Sequence, residues 1–173
     1  MSKAAIVLGN LFSLLAMISD SFSGTRKTHR EIVAVQILSQ FFYGAASIAL
    51  KAYSSTVQNA VAVFRNLAAM KNIRSRFLEG TLILAGVVFG ISFNNRGWLG
   101  WLPVIANLEY SAAVFRFREN ERALKRAFIL NMSLYAVFSF VIMNYVGTWS
   151  CAVITVTTIV SLIHTKKNPE EER

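Results

Sequence analysis

Two charged side chains stand deep inside long apolar runs, where they could bind or gate a solute. Arg65 and Glu109 are each separated from the polar segments by several apolar residues. A charge at the centre of a membrane helix costs about 2.5–3.5 kcal/mol on insertion scales, so such residues usually have a partner or line a pathway. Counting residues along the helices places both at a similar depth, which predicts an ion pair between them. In the alternative, Arg65 extends to lipid headgroups and Glu109 is neutralised or bound by a neighbouring helix.

Amide and hydroxyl side chains fall in the same layer of the predicted helices. They could supply hydrogen bonds to a solute, or they could hold helices together. Pro103 is predicted to kink its helix and act as a hinge, because a proline frees a backbone carbonyl. Gly86 and Gly90 have the G-x-x-x-G spacing that allows close helix packing. The predicted path residues are Arg65, Glu109, Asn107, Asn131, Gln40, Asn59, Thr155 and Thr158.

The sequence has no pattern typical of an enzyme or of a cofactor site. It has no glycine-rich phosphate loop and no His, Cys, Asp and Glu set at metal-ligand spacing. Cys151 is the single cysteine, and both histidines adjoin basic residues. We therefore expect no enzymatic activity, no cofactor and no metal.

Composition indicates an integral membrane protein. Apolar residues make up 54% of the 173-residue chain and charged residues 16%, whereas a soluble domain has about 25% charged residues. The net charge of +9 lies in short clusters between apolar runs, so we expect no nucleic-acid partner. The expected partners are membrane lipid and a small-molecule solute, with a homo-oligomer left open.

Seven apolar stretches are long enough to be predicted as transmembrane helices. Fourteen of the 18 lysines and arginines flank alternate ends of these stretches, and three lie at the opposite ends. The positive-inside rule puts the fourteen in the cytoplasm, with the N-terminus outside and the C-terminus inside. The predicted segments are Ala4–Phe22, Glu31–Leu50, Tyr53–Met70, Phe77–Asn94, Gly97–Phe115, Leu124–Asn144 and Val146–His164.

A weak internal repeat relates the first three segments to the last three. Gly9 aligns with Gly100 at an offset of 91 residues, and Ser55 aligns with Ser150 at an offset of 95. The predicted fold is therefore an all-α membrane protein with a 3+1+3 arrangement of two parallel three-helix bundles. The predicted divisions are a first bundle over 1–73, a linker helix over 74–96, a second bundle over 97–165 and a disordered cytoplasmic tail over 166–173.

Several short stretches carry a family resemblance: Gln36-Ile-Leu-Ser39 followed by Phe41-Phe-Tyr43, residues 52–60 leading to Arg65, and Leu102-Pro-Val-Ile105. With them, the chain resembles the bacterial YgjV inner-membrane protein family. Its 3+1+3 layout is similar to that of the PQ-loop superfamily, which includes the SWEET sugar facilitators and the PnuC vitamin transporters. The resemblance implies a multi-pass protein of the bacterial inner membrane. PQ-loop transporters have helix-bending prolines in both repeats, whereas here Phe12 stands opposite Pro103.

The functional hypothesis from the sequence is a transporter or facilitator for a small polar solute. Its path would run between the two bundles at the depth of the polar layer, where repeat-built transporters bind their substrates. The alternative is a non-transporting scaffold or partner subunit. A transporter predicts that the polar side chains converge on one cavity, and a scaffold predicts separate bonds between helices.

Overall fold

The computed structural model describes residues 1–23, 29–71, 73, 75–117 and 120–167. These residues form seven α-helices and one short 3-10 turn, and they contain no β-strand. Each predicted segment contains one helix. The helices are α1 (Lys3–Ser23), α2 (His29–Ala49), α3 (Tyr53–Met70), α4 (Arg76–Ser92), α5 (Trp101–Arg116), α6 (Glu121–Val141) and α7 (Tyr145–Lys167), and the 3-10 turn is Gly97–Gly100.

The predicted bounds of the third segment match α3, and the others lie within four residues of the helix ends. The fifth segment begins with the 3-10 turn, so α5 starts at Trp101 instead of Gly97. Helix α7 continues to Lys167, two residues into the predicted tail, and residues 168–173 lie outside the described part of the chain.

Four helices are long and apolar enough to cross a membrane. These are α1, α2, α6 and α7, whose most apolar windows have a mean hydropathy between 1.3 and 1.8. Helices α4 and α5 have 17 and 16 residues, or about 24–26 Å at 1.5 Å per residue, which is shorter than a hydrocarbon core of about 30 Å. Helix α3 has 18 residues but carries Gln58, Asn59 and Arg65.

Large apolar side chains cover the outside of the bundle, and small ones fill its inside. Phe77, Trp98 and Trp149 are exposed over 84%, 73% and 68% of their surface, which is the reverse of a water-soluble fold. Buried positions include many serines and alanines, such as Ser13 and Ala46. Small residues allow close approach of helices where lipid supplies no hydrophobic driving force between them.

Six helices form a closed ring in which neighbours pack in the order α1, α2, α3, α5, α6, α7 and back to α1. Helix α4 packs beside α3 and α5. Exchanging α1 with α5, α2 with α6 and α3 with α7 reproduces the same order of neighbours. The contact of α3 with α5 then corresponds to the contact of α7 with α1.

Two hairpin turns have the same backbone hydrogen bonds. In the turn at 50–52, between α2 and α3, Ala52 N donates to Ser47 O over 2.8 Å, and in the turn at 142–144, Asn144 N donates to Ser139 O over the same distance. Each turn has a left-handed residue at its centre, Lys51 at φ 52° and Met143 at φ 62°. Because positions 144 and 52 correspond, the offset at the turns is 92 residues, which corrects the offset of 95 read from the sequence. Apolar helices align by chance, whereas hydrogen bonds fix the register.

Each hairpin turn is held by an asparagine from the other half of the chain. Asn95, just before the 3-10 turn, donates to Lys51 O over 2.8 Å. Asn10 of α1 donates to Met143 O over 2.9 Å and accepts from Val146 N over 2.9 Å. Arg96 adds a hydrogen bond of 2.6 Å from Nη2 to Leu50 O. These bonds join the two halves at one end of the bundle.

An apolar cluster packs the two hairpin turns together at that end. It consists of Leu50, Ala52, Phe138 and Ile142, each no more than 3% exposed, with Leu102 packed against it. The cluster and the asparagine hydrogen bonds close this end of the boundary between the two halves.

Candidate functional site

Arg65 of α3 lies at the contact with α5, beside two polar side chains that are one helical turn apart. Its Nη1 donates to Asn107 Oδ1 over 3.4 Å and to Ser111 Oγ over 3.3 Å. Both distances exceed the usual 2.7–3.2 Å, so these are weak hydrogen bonds. The Tyr110 ring also contacts the guanidinium, with its centroid 5.7 Å from Cζ, within the range of a cation–π interaction.

Gln58 connects the same group of residues to α4. Its Oε1 accepts from Asn107 Nδ2 over 2.6 Å, and its Nε2 donates to Gly86 O over 2.8 Å. A Cβ at Gly90 would collide with the Gln58 amide and lie 2.7 Å from Val104 Cγ2. The G-x-x-x-G spacing therefore makes room for a buried glutamine. We call Gln58, Arg65, Asn107 and Ser111 the α3–α5 polar cluster.

A small cleft adjoins the α3–α5 polar cluster between α3, α4 and α5. The space inside it is about the size of one water molecule. The chain in this conformation therefore has no room for a bound solute at this cleft. Its lining residues are Gln58, Ile83, Gly86, Val87, Val104, Asn107, Leu108 and Ser111.

The expected ion pair between Arg65 and Glu109 is not formed. Arg65 donates to Asn107 and Ser111, which share one face of α5. Glu109 lies two residues after Asn107, about 200° around a helix of 3.6 residues per turn. Glu109 is half-buried, and its Oε2 atom is buried without a hydrogen-bond partner in the described part of the chain. Counting residues predicts depth along a helix, but depth does not specify the helix face.

A second group of polar side chains lies where α1, α2 and α7 meet. The Asp20 carboxylate of α1 lies close to the hydroxyls of Ser39 and Tyr43 of α2. The Tyr43 hydroxyl also lies 3.4 Å from Ser150 Oγ of α7, and Cys151 is nearby. This contact of α1 with α7 corresponds to the contact of α3 with α5. The structure therefore has polar residues at both boundaries between its halves.

A family comparison identifies the chain. The family model described as Imp-YgjV, bacterial inner membrane protein, matches residues 7–168, which is nearly the whole sequence. The chain belongs to the Imp-YgjV family. The apolar helices agree with that family's description as an inner membrane protein. No curated protein and no solved structure matches the chain.

The structure of this Imp-YgjV protein separates the other predicted path residues from the α3–α5 polar cluster. Asn59 Nδ2 donates to Ser47 Oγ over 3.3 Å and so joins α3 to α2. Asn131 Nδ2 donates to Ala106 O over 2.7 Å and joins α6 to α5. Gln40 is half-buried on α2, and its side chain has no hydrogen bond within the described residues. Thus Arg65 and Asn107 come together, whereas these three amides lie elsewhere.

The threonines of α7 bond to their own helix. Thr155 Oγ1 donates to Cys151 O over 2.8 Å, and Thr158 Oγ1 donates to Ile154 O over 2.7 Å. Such bonds satisfy a hydroxyl without a ligand.

Pro103 lies in the first turn of α5 and is fully buried. A proline in a first turn costs no helical hydrogen bond, because the N–H groups there have no partner within the helix. The predicted kink within the fifth helix is therefore absent, and the helix is continuous from Trp101 to Arg116.

Gln58, Ser111 and Asp20 were not among the path residues predicted for this Imp-YgjV chain. A usable signal was present for Ser111. It is one turn from Asn107 on α5, and residues four apart lie on the same face of a helix. No comparable signal existed for Asp20, because its contacts come from α2.

Proposed function

We propose that this inner-membrane protein is a transporter or facilitator for a small polar solute. The solute path runs along the boundary between a first bundle, α1 to α3, and a second bundle, α5 to α7. The observation that carries the proposal is the α3–α5 polar cluster, in which a charged guanidinium and two amides lie at that boundary. Such groups at membrane depth are costly, and a functional role is their usual explanation.

The proposal includes seven membrane spans in a 3+1+3 layout, with the N-terminus outside and a relationship to the PQ-loop superfamily. Supporting observations are the ring order of the helices and the matching hydrogen bonds of the two hairpin turns. The 3-10 turn adds about 8 Å at 2 Å per residue to α5, bringing that segment to about 32 Å. The basic segments that connect α1 to α2, α3 to α4 and α5 to α6 then lie in the cytoplasm.

In this topology the closed end of the bundle faces outward. The apolar cluster at Leu50 and Phe138 blocks the boundary there, and Asn10 and Asn95 bond across it. Transport requires this end to open while the other end closes. Breaking the asparagine hydrogen bonds should therefore favour an outward-open state.

Solute flux into proteoliposomes tests the proposal. Osmotic light scattering would follow the uptake of sugars, amino acids and short organic acids by liposomes that contain the full chain. We expect at least one solute to enter faster than into protein-free liposomes. Asn107→Ala should slow that entry at least tenfold, whereas Thr155→Ala, whose hydroxyl bonds its own helix, should not. Wild-type flux in a folded Asn107→Ala protein would contradict the assigned path.

A membrane scaffold is the second candidate, and one observation favours it. Asn59 and Asn131 form separate bonds between neighbouring helices, and the cleft at the α3–α5 polar cluster holds about one water molecule. Labelling of Ser111→Cys in a Cys151→Ala background distinguishes the two. A membrane-impermeant maleimide should reach this cysteine from one side of the membrane in a transporter and from neither side in a scaffold.

A further inference from the structure

Arg65 has hydrogen-bond capacity that the chain does not use. A guanidinium has five N–H donors, yet only Nη1 makes hydrogen bonds, and both are long. Within the described residues, Nε and Nη2 have no hydrogen-bond partner. Neither atom is among the fully buried polar atoms without a partner. These donors therefore retain some accessible surface.

The Arg65 charge has no carboxylate partner in the part of the chain that the structure describes. Among the described side chains, no Asp or Glu oxygen lies within ion-pair distance of its guanidinium, and its polar contacts are the neutral groups of Asn107, Ser111 and Tyr110. Glu109, the nearest acid on α5 in sequence, is on a different face of that helix. A cation in a medium of low dielectric constant gains strongly from an anion, because water screens the pair less there.

The neighbouring amides and Arg65 form a series of hydrogen bonds. Gln58 donates to Gly86 O, Asn107 donates to Gln58, and Arg65 donates to Asn107, so each acceptor in this series is already used. Ser111 Oγ accepts from Arg65, and its own hydrogen has no acceptor among the described residues. An anion beside Arg65 could accept from Nη2, from Nε and from Ser111.

Resting on the proposed function, we infer that the transported solute carries an anionic oxygen group, a carboxylate or a phosphate, which binds Arg65 and Ser111. The planar fork of a guanidinium matches two oxygens of such a group. A neutral sugar or a cation would leave the guanidinium charge unbalanced. The site therefore selects solutes by charge, and the cleft must widen to admit one, because in this conformation it holds about one water molecule.

Thermal unfolding of the purified full chain tests this assignment. Sodium phosphate or sodium succinate would be titrated at an ionic strength held constant with sodium chloride, with ribose as a neutral probe. We expect the anions to raise the melting temperature of the wild type with saturation and ribose to have no effect. Arg65→Gln should weaken the anion affinity at least tenfold, and Ser111→Ala, which retains the guanidinium, should weaken it severalfold. Arg126→Gln, which removes an exposed arginine of α6, should bind as the wild type does.

The remaining outcomes separate the sources of the anion. A shift in Arg65→Gln equal to that of the wild type, or no shift in the wild type, would overturn the inference. An Arg65-dependent shift produced by phosphatidylglycerol in the micelle but by neither free anion would assign Arg65 to a lipid headgroup and overturn the solute site. Anion binding without flux in proteoliposomes would reject the proposed transport and leave the anion site intact. If neutral solutes crossed at equal rates in the wild type and in Arg65→Gln, the anion site would be rejected and the proposed transport would stand.

Discussion

Gln58 of α3 and Asn107 of α5 are joined by a hydrogen bond of 2.6 Å that crosses the boundary between the two halves of the chain. Both side chains are at least 90% buried. In each side chain the carbonyl oxygen accepts one hydrogen bond and the amide nitrogen donates one. The bond therefore couples the packing of α3, α4 and α5.

We expect Gln58→Ala to destabilise the fold by about 1–3 kcal/mol, because it leaves the Asn107 amide nitrogen buried without its acceptor. Gln40→Ala is the matched control, since the Gln40 side chain has no hydrogen bond in the described residues. The free energy of unfolding would be measured by titration from mild detergent into dodecyl sulfate. Equal losses for the two variants would show that the Gln58 bonds add no stability.

Two glycines of α4 should respond in opposite ways to the same added methyl group. Gly90→Ala places a Cβ against the Gln58 amide and Val104, whereas a Cβ at Gly80 meets no atom within 4 Å. We expect Gly90→Ala to cost about 1–3 kcal/mol through overpacking and Gly80→Ala to be neutral or to stabilise the helix by about 1 kcal/mol. Melting temperatures in detergent would report both. A tolerated Gly90→Ala would mean that α4 can shift away from α3.

Exchanging the charges of residues 65 and 109 should not rescue the single substitutions. Arg65→Glu and Glu109→Arg each place a new charge in an unsuitable site, and the two side chains form no ion pair in the structure. We expect the double variant to accumulate in membranes no better than the worse single variant. Quantitative immunoblotting of membrane fractions would measure this. A double variant restored to wild-type abundance would support the pair that the sequence suggested.

Asn10→Ala should loosen the contact between α1 and the turn at 142–144, because it removes the bonds to Met143 O and Val146 N. Asn10→Asp retains the acceptor for Val146 and loses the donor to Met143, so its effect should be intermediate. Interhelical hydrogen bonds in membranes contribute about 0.6–1.7 kcal/mol each, and the unfolding titration can resolve that range. Equal stability of both variants and the wild type would exclude a structural role for this side chain.

Lys51→Gly should stabilise the turn between α2 and α3. Lys51 is exposed and has a positive φ of 52°, a conformation that costs an L-residue roughly 1–2 kcal/mol compared with glycine. Lys51→Ala shortens the side chain without relieving that cost and serves as the control. Melting temperature should rise for the glycine variant alone. A rise in both would attribute the effect to loss of the charge.

The number and approximate ends of the helices could be predicted from the sequence, whereas the contacts at the site could not. Apolar runs bounded by charges define helices, because burial of the backbone in lipid leaves few alternatives. The depth of Arg65 and Glu109 followed from counting residues. Arg65 contacts one face of α5 and Glu109 lies on another. The neighbouring helices determine this, because they fix how α5 is rotated about its axis. Asn107 was predicted as a path residue and lies beside Arg65, whereas its partner Gln58 was not among the predicted path residues.

The hairpin turns also show that helix ends can be predicted from the sequence, whereas the contacts between distant residues cannot. The predicted segments leave only one or two residues between the second and third helices and between the sixth and seventh, and the structure has tight turns there, at 50–52 and 142–144. Asn10 and Asn95, which bind those turns, gave no signal because each is more than forty residues from its partner in sequence. Long-range polar contacts of this kind require knowledge of which helices are neighbours.

The exchange of asparagines between the halves has a consequence for assembly during synthesis. The turn at 50–52 is made early, but Lys51 O and Leu50 O acquire Asn95 and Arg96 only after the second half begins to emerge. Asn10 can form its hydrogen bonds only after Met143 and Val146 have been synthesised. Neither half can complete the hydrogen bonds of its own turn, so the nascent protein forms these contacts late in its synthesis.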